Sequence, residues 1–195
     1  RELVGRGVAD YLGGGIGSHD LITAFTRLFA AEVALPKGRL VVVTSASGGA
    51  GGSTVAAILA DEMSRRFSDA LLLDLDLNLG TAALALAVEV RDPVAEAVAN
   101  PGLDVAMLER FVVREESLRI LSTQGSLRVA NTFTTEQFEH VVQTARTLAK
   151  VVVVDLPKGW GEPYHRLLSS ADEIAVVTVP ELASFRNARM IVDDT

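Results

Sequence analysis

Short apolar runs alternate with amphipathic segments along most of this chain. The apolar runs lie at residues 40–44, 70–73, 118–121, 151–154 and 173–178. Their near-continuous apolar character is typical of strands buried on both faces. Helical periodicity lies between and after them, at residues 54–67, 81–88, 103–112, 134–150 and 164–170 and from residue 182 onward. Strands that alternate with helices predict an α/β fold, in which a mostly parallel sheet carries helices on both faces.

A glycine-rich stretch lies between the first predicted strand and the first predicted helix. Glycine lets the backbone turn several N–H groups toward one point, and the positive end of the following helix adds to the attraction for an anion. We therefore favour a phosphate-binding loop over the alternative, a tight turn with capping hydroxyl groups. The predicted ligand-binding residues are Gly48, Gly49, Ala50, Gly51, Gly52, Ser53 and Thr54.

The loop departs from the usual phosphate-loop sequence in its charge. The consensus G-x-x-x-x-G-K-[ST] places its first glycine at Ala46 and its lysine at Gly52, so only Gly51 and Ser53 match. Ser53 occupies the position whose hydroxyl ligates Mg²⁺ in such loops. The sequence thus predicts a phosphate site that lacks its usual cation.

Three aspartates lie at the carboxyl ends of predicted strands, the edge of a parallel sheet where ligands bind. Asp74 and Asp76 end the second strand, and alternation puts both side chains on one face if the strand continues through them. Asp155 ends the strand of four valines. Beside a phosphate, these carboxylates can orient Mg²⁺ or a water molecule. The alternative is that Asp74 and Asp76 are solvated loop residues or helix caps.

Composition narrows the class of protein. The chain has 195 residues with 49% hydrophobic content, enough for about one domain. Its formal net charge of −7 argues against nucleic-acid binding, which needs a basic face. The absence of cysteine excludes disulfides and thiolate metal sites, and no apolar stretch is long enough for a membrane span. We expect a cytoplasmic protein, of which this chain is an excised part truncated at the C-terminus.

The chain before residue 40 resembles part of a different domain. Residues 7–12 predict a short strand, 13–17 a loop and 18–31 a helix, a series similar to the end of a response-regulator receiver domain. Glycines replace the Lys-Pro pair of such domains and no phosphoacceptor is present, so we favour a packing or linker helix over a phosphorelay role. We divide the chain into a degenerate receiver-like tail (1–31), a linker (32–39) and an incomplete main domain (40–195).

At its motifs the main domain resembles the MinD/ParA superfamily of deviant P-loop ATPases, and within it the CpaE/TadZ family of Flp (Tad) pilus assembly proteins. Residues 47–54 are similar to the deviant Walker A loop, 72–84 to the second acidic motif and 152–157 to Walker B. Residues 171–189 also follow the family's pattern, and a degenerate receiver-like domain precedes the ATPase-like domain in that family. The resemblance implies a P-loop NTPase fold of the MinD/ParA type.

The resemblance also assigns roles to the predicted site residues. It implies ATP or ADP with Mg²⁺ as the ligand, the phosphates being held by the glycine loop. Ser53 would ligate the metal, Asp74 would belong to its shell and Asp155 would reach it through water. Asp76 would position the attacking water and is the catalytic candidate.

Two lysines of this superfamily are absent. ParA-like ATPases have a signature lysine at the position of Ser47, which reaches the partner's phosphate across a dimer, and a Walker lysine at the position of Gly52. Because such cations supply much of the rate of phosphoryl transfer, we expect nucleotide binding with weak or no hydrolysis. Lys158, just beyond Asp155, is the lysine that we nominate as a substitute.

The resemblance therefore implies a localisation and assembly scaffold for an Flp/Tad type IV pilus system. Its expected partners are a second copy of the chain, with the phosphate loops facing, and pilus secretion or assembly components; no nucleic-acid partner is expected. Its expected place is the cytoplasm, at the cell pole or peripheral to the inner membrane. The alternative is an active ATPase of the MinD/ParA type that positions a pilus, a septum or a partition complex.

Four other residues give weaker signals. His19, His140 and His165 lie far apart without metal-ligand spacing, and we expect them on the surface or within helices. Trp160 has two interpretations, an aromatic that contacts a partner or one buried against the Walker B loop, and we favour burial.

Overall fold

The computed structural model describes residues 17, 20, 21, 24, 37–90, 93–123, 133–159 and 161–195. The strands are β1 (Arg39–Ser45), β2 (Ala70–Asp74), β3 (Val113–Glu115), β4 (Leu118–Leu121), β5 (Val151–Leu156) and β6 (Glu173–Val177). The helices are α1 (Gly52–Phe67), α2 (Ala82–Ala85), α3 (Pro93–Ala99), α4 (Val105–Phe111), α5 (Thr135–Leu148), α6 (Glu162–Ser170) and α7 (Leu182–Asp194). The elements predicted at residues 7–31 lie outside the described ranges, apart from four single positions.

The six strands form one sheet in the order β3-β4-β2-β5-β1-β6. All neighbours are parallel except β3 and β4, which form an antiparallel pair at one edge. The register places Asp74 of β2 directly opposite Asp155 of β5. The predicted α/β fold with a mostly parallel sheet is confirmed, and the carboxyl ends of the central strands β2, β5 and β1 meet at one edge.

Alternation along the central strands divides the core into two layers. Leu40 and Val42 of β1 belong to one buried cluster, which contains the inner faces of α3, α4, α5 and α6. Val41 and Val43 point to the other cluster, which contains the inner faces of α1 and α2. Successive residues of a strand point to opposite faces of the sheet. Because both faces are buried here, all of these residues must be apolar, and each strand is therefore a continuous apolar run in the sequence. The prediction of helices on both faces is confirmed.

The helix boundaries follow local capping chemistry. Helix α5 begins with a capping box, in which Thr134 accepts from the Gln137 N–H and the Gln137 side chain accepts from the Thr134 N–H. Helix α4 begins two residues later than predicted because Asp104 serves as its N-cap and accepts from the Met107 N–H. Helix α2 is only four residues long, since Ala87 adopts a positive φ of 55° and ends it. Within the described ranges, every helix is too short or too polar to cross a membrane.

The sequence did not predict strand β3. Its three residues, Val-Arg-Glu, contain one apolar side chain, and the turn that joins it to β4 lacks the Asn-Gly or Asp-Gly pair typical of tight hairpins. Glu116 takes the positive φ of 53° that this turn needs, a conformation that is uncommon for a residue with a side chain. Neither periodicity nor turn chemistry therefore marks this hairpin in the sequence.

Candidate functional site

The glycine loop lies between β1 and α1 at the carboxyl edge of the sheet. Gly49 and Gly51 have φ values of 76° and 94°, in the left-handed region that favours glycine. A Cβ atom added at Gly48, Gly49 or Gly51 would meet nothing within 4 Å, so the outer side of the loop is open. The N-cap residue of α1, Gly51, has no side chain with which to cap the helix. The loop therefore presents backbone N–H groups and a helix N-terminus to an anion.

Ser45, the last residue of β1, fills the space in which a side chain at position 52 would begin. The Gly52 N–H donates to Ser45 Oγ at 3.1 Å. A Cβ atom added at Gly52 would lie 2.3 Å from the same oxygen. The position at which related loops carry lysine is thus occupied by a serine–backbone hydrogen bond, which sequence reasoning missed because Ser45 lies outside the loop motif.

The first residues of the loop are attached to α7. Ser47 Oγ and Ser184 Oγ share a hydrogen bond of 3.0 Å. Ser184 is fully buried, lies 2.7 Å from Thr178 Oγ1 and accepts from the Val179 N–H. Asn187 of α7 completes the attachment by donating to the carbonyl oxygen of residue 46 at 2.9 Å. The residue at the signature-lysine position is therefore directed into a buried hydroxyl cluster.

Asp155 connects the sheet edge to the glycine loop. Its side chain is only 4% exposed and hydrogen-bonds Ser53 in the first turn of α1. Its other oxygen, Oδ2, is buried and receives no hydrogen bond from the residues that the structure describes. Burial raises the pKa of Asp155 to about 6, the hydrogen bond from Ser53 opposes the rise, and the negative charge of Asp76 adds to it. Asp155 Oδ2 is thus an unsatisfied acceptor beside the loop.

Asp74 is fully buried and holds the segment that follows β2. Its Oδ1 accepts from the Asp76 N–H at 3.0 Å, and its Oδ2 accepts from Ser122 Oγ at 2.9 Å and from the Ala82 N–H at 3.3 Å. Burial and then the charge of Asp155 raise the pKa of Asp74 to about 7, while these hydrogen bonds lower it. The structure shows Asp74 as an organiser of the turn, and its place in a metal shell stays a prediction.

Asp76 lies in the turn rather than in the strand. Strand β2 ends at Asp74, so the alternation that would align the two side chains does not extend to residue 76. Asp76 Oδ1 accepts from the Asn78 N–H at 3.3 Å and from the Leu79 N–H at 3.0 Å, which agrees with the alternative of a loop residue. Its charge nevertheless acts on Asp155. The water-positioning role of Asp76 stays a prediction.

Few side chains at this edge of the sheet are able to ligate a metal ion. Among the described residues, no group of three histidine, aspartate or glutamate side chains is arranged to hold a metal ion. Ser53 and Asp155, with the unsatisfied Oδ2, are the residues whose chemistry fits Mg²⁺. Mg²⁺ in nucleotide sites commonly takes one or two protein ligands and completes its shell with phosphates and water. The residues therefore fit a metal that arrives with a phosphate ligand.

Lys158 follows β5 and shares a cavity wall with residues 45 and 46, at the start of the loop. Its side chain is exposed and lines a cavity of about 360 Å³. Other residues of the cavity wall are Ser45, Ala46, Tyr164, Asn187 and Met190. The cavity therefore places Lys158 near the start of the loop, and its role as a substitute cation stays a prediction.

The structure describes two of the four residues that gave weaker signals in the sequence. His140 Nε2 lies 2.8 Å from the carbonyl oxygen of Leu103, and His165 is exposed on α6 with its ring edge-on to Tyr164. Both histidines are thus helix residues, as predicted. His19 and Trp160 lie outside the described residues.

Comparison with known proteins gives relatives in sequence and in fold. No protein-family model matches the chain. The septum site-determining protein MinD of Synechocystis is 25% identical over 156 residues, which cover 79% of this chain and 58% of that protein. The chain thus spans less than two thirds of the length of this relative.

Two solved structures show the same fold. A ParA family ATPase from Chlorobium tepidum superposes with a TM-score of 0.70 at 24% identity, over 80% of this chain and 66% of that one. The MinD protein of Pyrococcus horikoshii, determined in complex with Mg-ADP, superposes with a TM-score of 0.65 at 20% identity, over 80% of this chain and 65% of that one. The chain is therefore a homologue of the MinD/ParA superfamily of P-loop ATPases and has their α/β fold.

Proposed function

We propose that this chain is the nucleotide-binding part of a MinD/ParA-type positioning protein, and that it serves as a localisation and assembly scaffold for an Flp/Tad pilus. It binds ATP or ADP with Mg²⁺ and hydrolyses ATP weakly or not at all. The observation that carries the nucleotide site is the unsatisfied Asp155 Oδ2 beside Ser53, at the open N-terminus of α1. Ser53 and Asp155 would hold the metal, and the loop N–H groups would hold the phosphates.

Weak hydrolysis follows from the missing charges. The side chains at positions 47 and 52 are neutral, and Ser47 is hydrogen-bonded to buried Ser184. A positioned cation stabilises the charge that develops on a transferring phosphoryl group and supplies orders of magnitude in rate. Binding depends less on these side chains, because backbone N–H groups and the metal remain available for the phosphates.

The pilus role rests on the resemblance of residues 72–84 and 171–189 to the CpaE/TadZ family. In this proposal the protein acts as a homodimer with its phosphate loops facing. Its partners are pilus secretion or assembly components, and it is placed at the cell pole or on the inner membrane as a peripheral protein. The division of the chain into residues 1–31, 32–39 and 40–195 is part of the same proposal.

A second candidate is an active ATPase that positions a pilus, a septum or a partition complex. The observation that favours it is the position of Asp76, which is held in a defined turn and acts electrostatically on Asp155. A carboxylate in that place is able to orient an attacking water. The MinD relatives are septum site-determining proteins, which favours the septum among the alternative cargoes.

Binding and turnover on one sample separate the two candidates. ATP and ADP are titrated with Mg²⁺ by calorimetry, and phosphate release is then measured. The scaffold predicts binding, with phosphate release at background and unchanged in Asp76→Ala. Turnover that disappears in Asp76→Ala but persists in Asp193→Ala, an exposed aspartate on α7, would establish the active ATPase instead.

The pilus assignment needs a test in cells. Deletion of the gene is expected to abolish pilus assembly while leaving division normal, and a fluorescent fusion is expected at the cell pole. Complementation with Asp155→Asn shows whether the nucleotide site is needed. Misplaced septa with normal pili in the deletion strain would overturn the pilus role and support the septum alternative.

A further inference from the structure

Among the residues that the structure describes, three arginine–carboxylate ion pairs lie at the edge of the sheet opposite the loop. The ion pairs Arg39–Glu173, Arg119–Asp69 and Arg146–Asp172 lie where strands begin. Arg39 starts β1, and Arg146 also donates to the carbonyl oxygen of Gly38, just before that strand. These cations are therefore engaged with carboxylates away from the loop.

Three carboxylates lie at the loop edge of the sheet. Asp74, Asp76 and Asp155 lie there, and the positions 47 and 52 of the loop carry no cation. Lys158 is exposed in the cavity beside the loop's first residues rather than bonded to the loop. These carboxylates would repel a polyphosphate that carries no metal ion, and only the backbone N–H groups would attract it.

The same edge offers a free metal ion too few ligands. The described residues hold no group of three side chains with metal-site geometry, and Ser53 and Asp155 supply two ligand groups. Mg²⁺ demands a near-octahedral shell and dehydrates reluctantly, so it binds poorly to sites that offer so few protein oxygens. Asp155 Oδ2, buried and without a donor among the described residues, nevertheless remains to be satisfied by a cation.

We propose that the divalent cation and the nucleotide bind to this loop only together, with the cation serving in place of the missing lysine as the positive charge of the site. The proposal rests on the proposed nucleotide-binding function and defines its ligand as the metal complex of the nucleotide. Coupling between two ligands is reciprocal, so each must raise the affinity of the other by the same factor. Occupancy of the site then depends on the concentration of the metal–nucleotide complex, and metal-free nucleotide does not compete with that complex for the site.

The structure around position 52 supports this reading of the loop. A lysine side chain cannot start from Gly52 while Ser45 keeps its rotamer, because the Cβ atom would lie 2.3 Å from Ser45 Oγ. The distance from that Cβ position to Ser45 Cβ is 3.4 Å, so removal of the hydroxyl makes room. The wild-type chain therefore fills the place of the lysine with a hydrogen bond, and the double substitution Ser45→Ala with Gly52→Lys restores the cation.

The experiment measures binding of each component to the intact protein. ATP is titrated by calorimetry with excess Mg²⁺ and again in EDTA, and Mn²⁺ alone is followed by electron paramagnetic resonance with and without ATP. We expect binding of the metal–ATP complex, with affinity for either component alone weaker by about tenfold or more. Equal ATP affinity in EDTA would overturn the coupling while leaving the nucleotide function intact. No binding in any arm would overturn both.

Variants separate the metal from other sources of charge. The double variant Ser45→Ala/Gly52→Lys is expected to gain ATP binding in EDTA, whereas Ser45→Ala alone is expected to keep the metal requirement. Asp155→Asn is expected to weaken metal–ATP binding, and thermal unfolding checks that each variant is folded. If the wild-type protein binds ATP in EDTA and Lys158→Ala does not, then Lys158 supplies the positive charge of the site. That result would overturn the proposal, whatever the double variant does.

Discussion

Asp74 and Asp155 are direct neighbours in the register of β2 and β5, so two buried carboxylates lie side by side near the carboxyl ends of adjacent parallel strands. Burial is the main reason that the pKa of Asp74 rises to about 7, and the charge of Asp155 raises it further. The pKa of Asp155 rises to about 6, also mainly through burial. A proton or a cation at this strand edge therefore stabilises the folded chain.

This pair predicts that the metal-free protein loses stability as the pH rises. Both pKa values lie above the ordinary value of 3.8, so the folded chain holds more protons than the unfolded chain between those values. The stabilisation is complete below about pH 4 and is lost as the pH rises through the folded values. We expect the free energy of unfolding, measured by urea denaturation in EDTA, to fall between about pH 4 and about pH 7.

The matched variant is Asp74→Asn, which removes one of the two titrating groups. Its free energy of unfolding is expected to depend less on pH than that of the wild type, whatever its absolute value. Asp193→Asn, at an exposed site on α7, controls for the change of net charge and is expected to keep the wild-type slope. Identical slopes in wild type and Asp74→Asn would show that Asp74 is not the source of the pH dependence.

Asp76 predicts a pKa change at Asp155. The negative charge of Asp76 contributes to the raised pKa of Asp155, so neutralising it by Asp76→Asn is expected to lower that pKa from about 6. The pKa is followed through the carboxyl ¹³C shift of Asp155 during a pH titration. Glu139→Gln, a change at a partly buried position on α5 that pairs with Arg166, serves as the control. An unchanged or higher pKa in Asp76→Asn would mean that the two carboxylates do not interact.

Replacing Gly80 by alanine is expected to destabilise the protein much more than the same replacement at Gly48. A Cβ atom at Gly80 would lie 2.6 Å from Asp74 Oδ2 and 2.7 Å from the Asp76 carbonyl oxygen. Since one of these contacts is backbone, Gly80→Ala must displace the turn, and we expect a loss of about 1–3 kcal/mol in the free energy of unfolding.

Gly48→Ala is the matched control for that loss. A Cβ atom there meets nothing within 4 Å, so the free energy of unfolding is expected to change by less than about 0.5 kcal/mol. Urea denaturation of the two variants under the same conditions gives the comparison. Similar losses in both would show that the close approach of Gly80 to Asp74 does not constrain the turn.

The sequence predicted those parts of the fold and site that local pattern determines. The central strands are buried on both faces and so read as apolar runs, and the turn from β1 to α1 needs glycine at Gly49 and Gly51, where φ is positive. Asp74 and Asp155 were placed together because parallel strands bring their carboxyl ends to one edge. Each of these inferences needs only neighbouring residues and the rule for parallel sheets.

The remaining features of the site depend on contacts between distant residues. Ser122, the residue after β4, reaches Asp74, and Ser184 reaches Ser47 from α7 across 137 positions of the chain. A serine in a predicted loop or helix shows no sign of such a partner, because its hydroxyl is equally compatible with solvent. The position of Asp76 in a loop was foreseen as an alternative, but the end of β2 at Asp74 depends on the pairing of strands.

Ser184 predicts that α7 and the glycine loop are stabilised together. Its buried hydroxyl contacts Ser47 Oγ, Thr178 Oγ1 and the Val179 N–H, so Ser184→Ala leaves these groups without their partner. An unsatisfied buried polar group costs about 1–3 kcal/mol, and we expect a loss of that order in urea denaturation. Hydrogen exchange is expected to quicken in the loop as well as at Val179.

Ser169→Ala, at an exposed position on α6, is expected to change neither the free energy of unfolding nor the rate of hydrogen exchange. Faster exchange confined to α7, with the loop unchanged, would show that the Ser47–Ser184 hydrogen bond does not attach the loop to the helix.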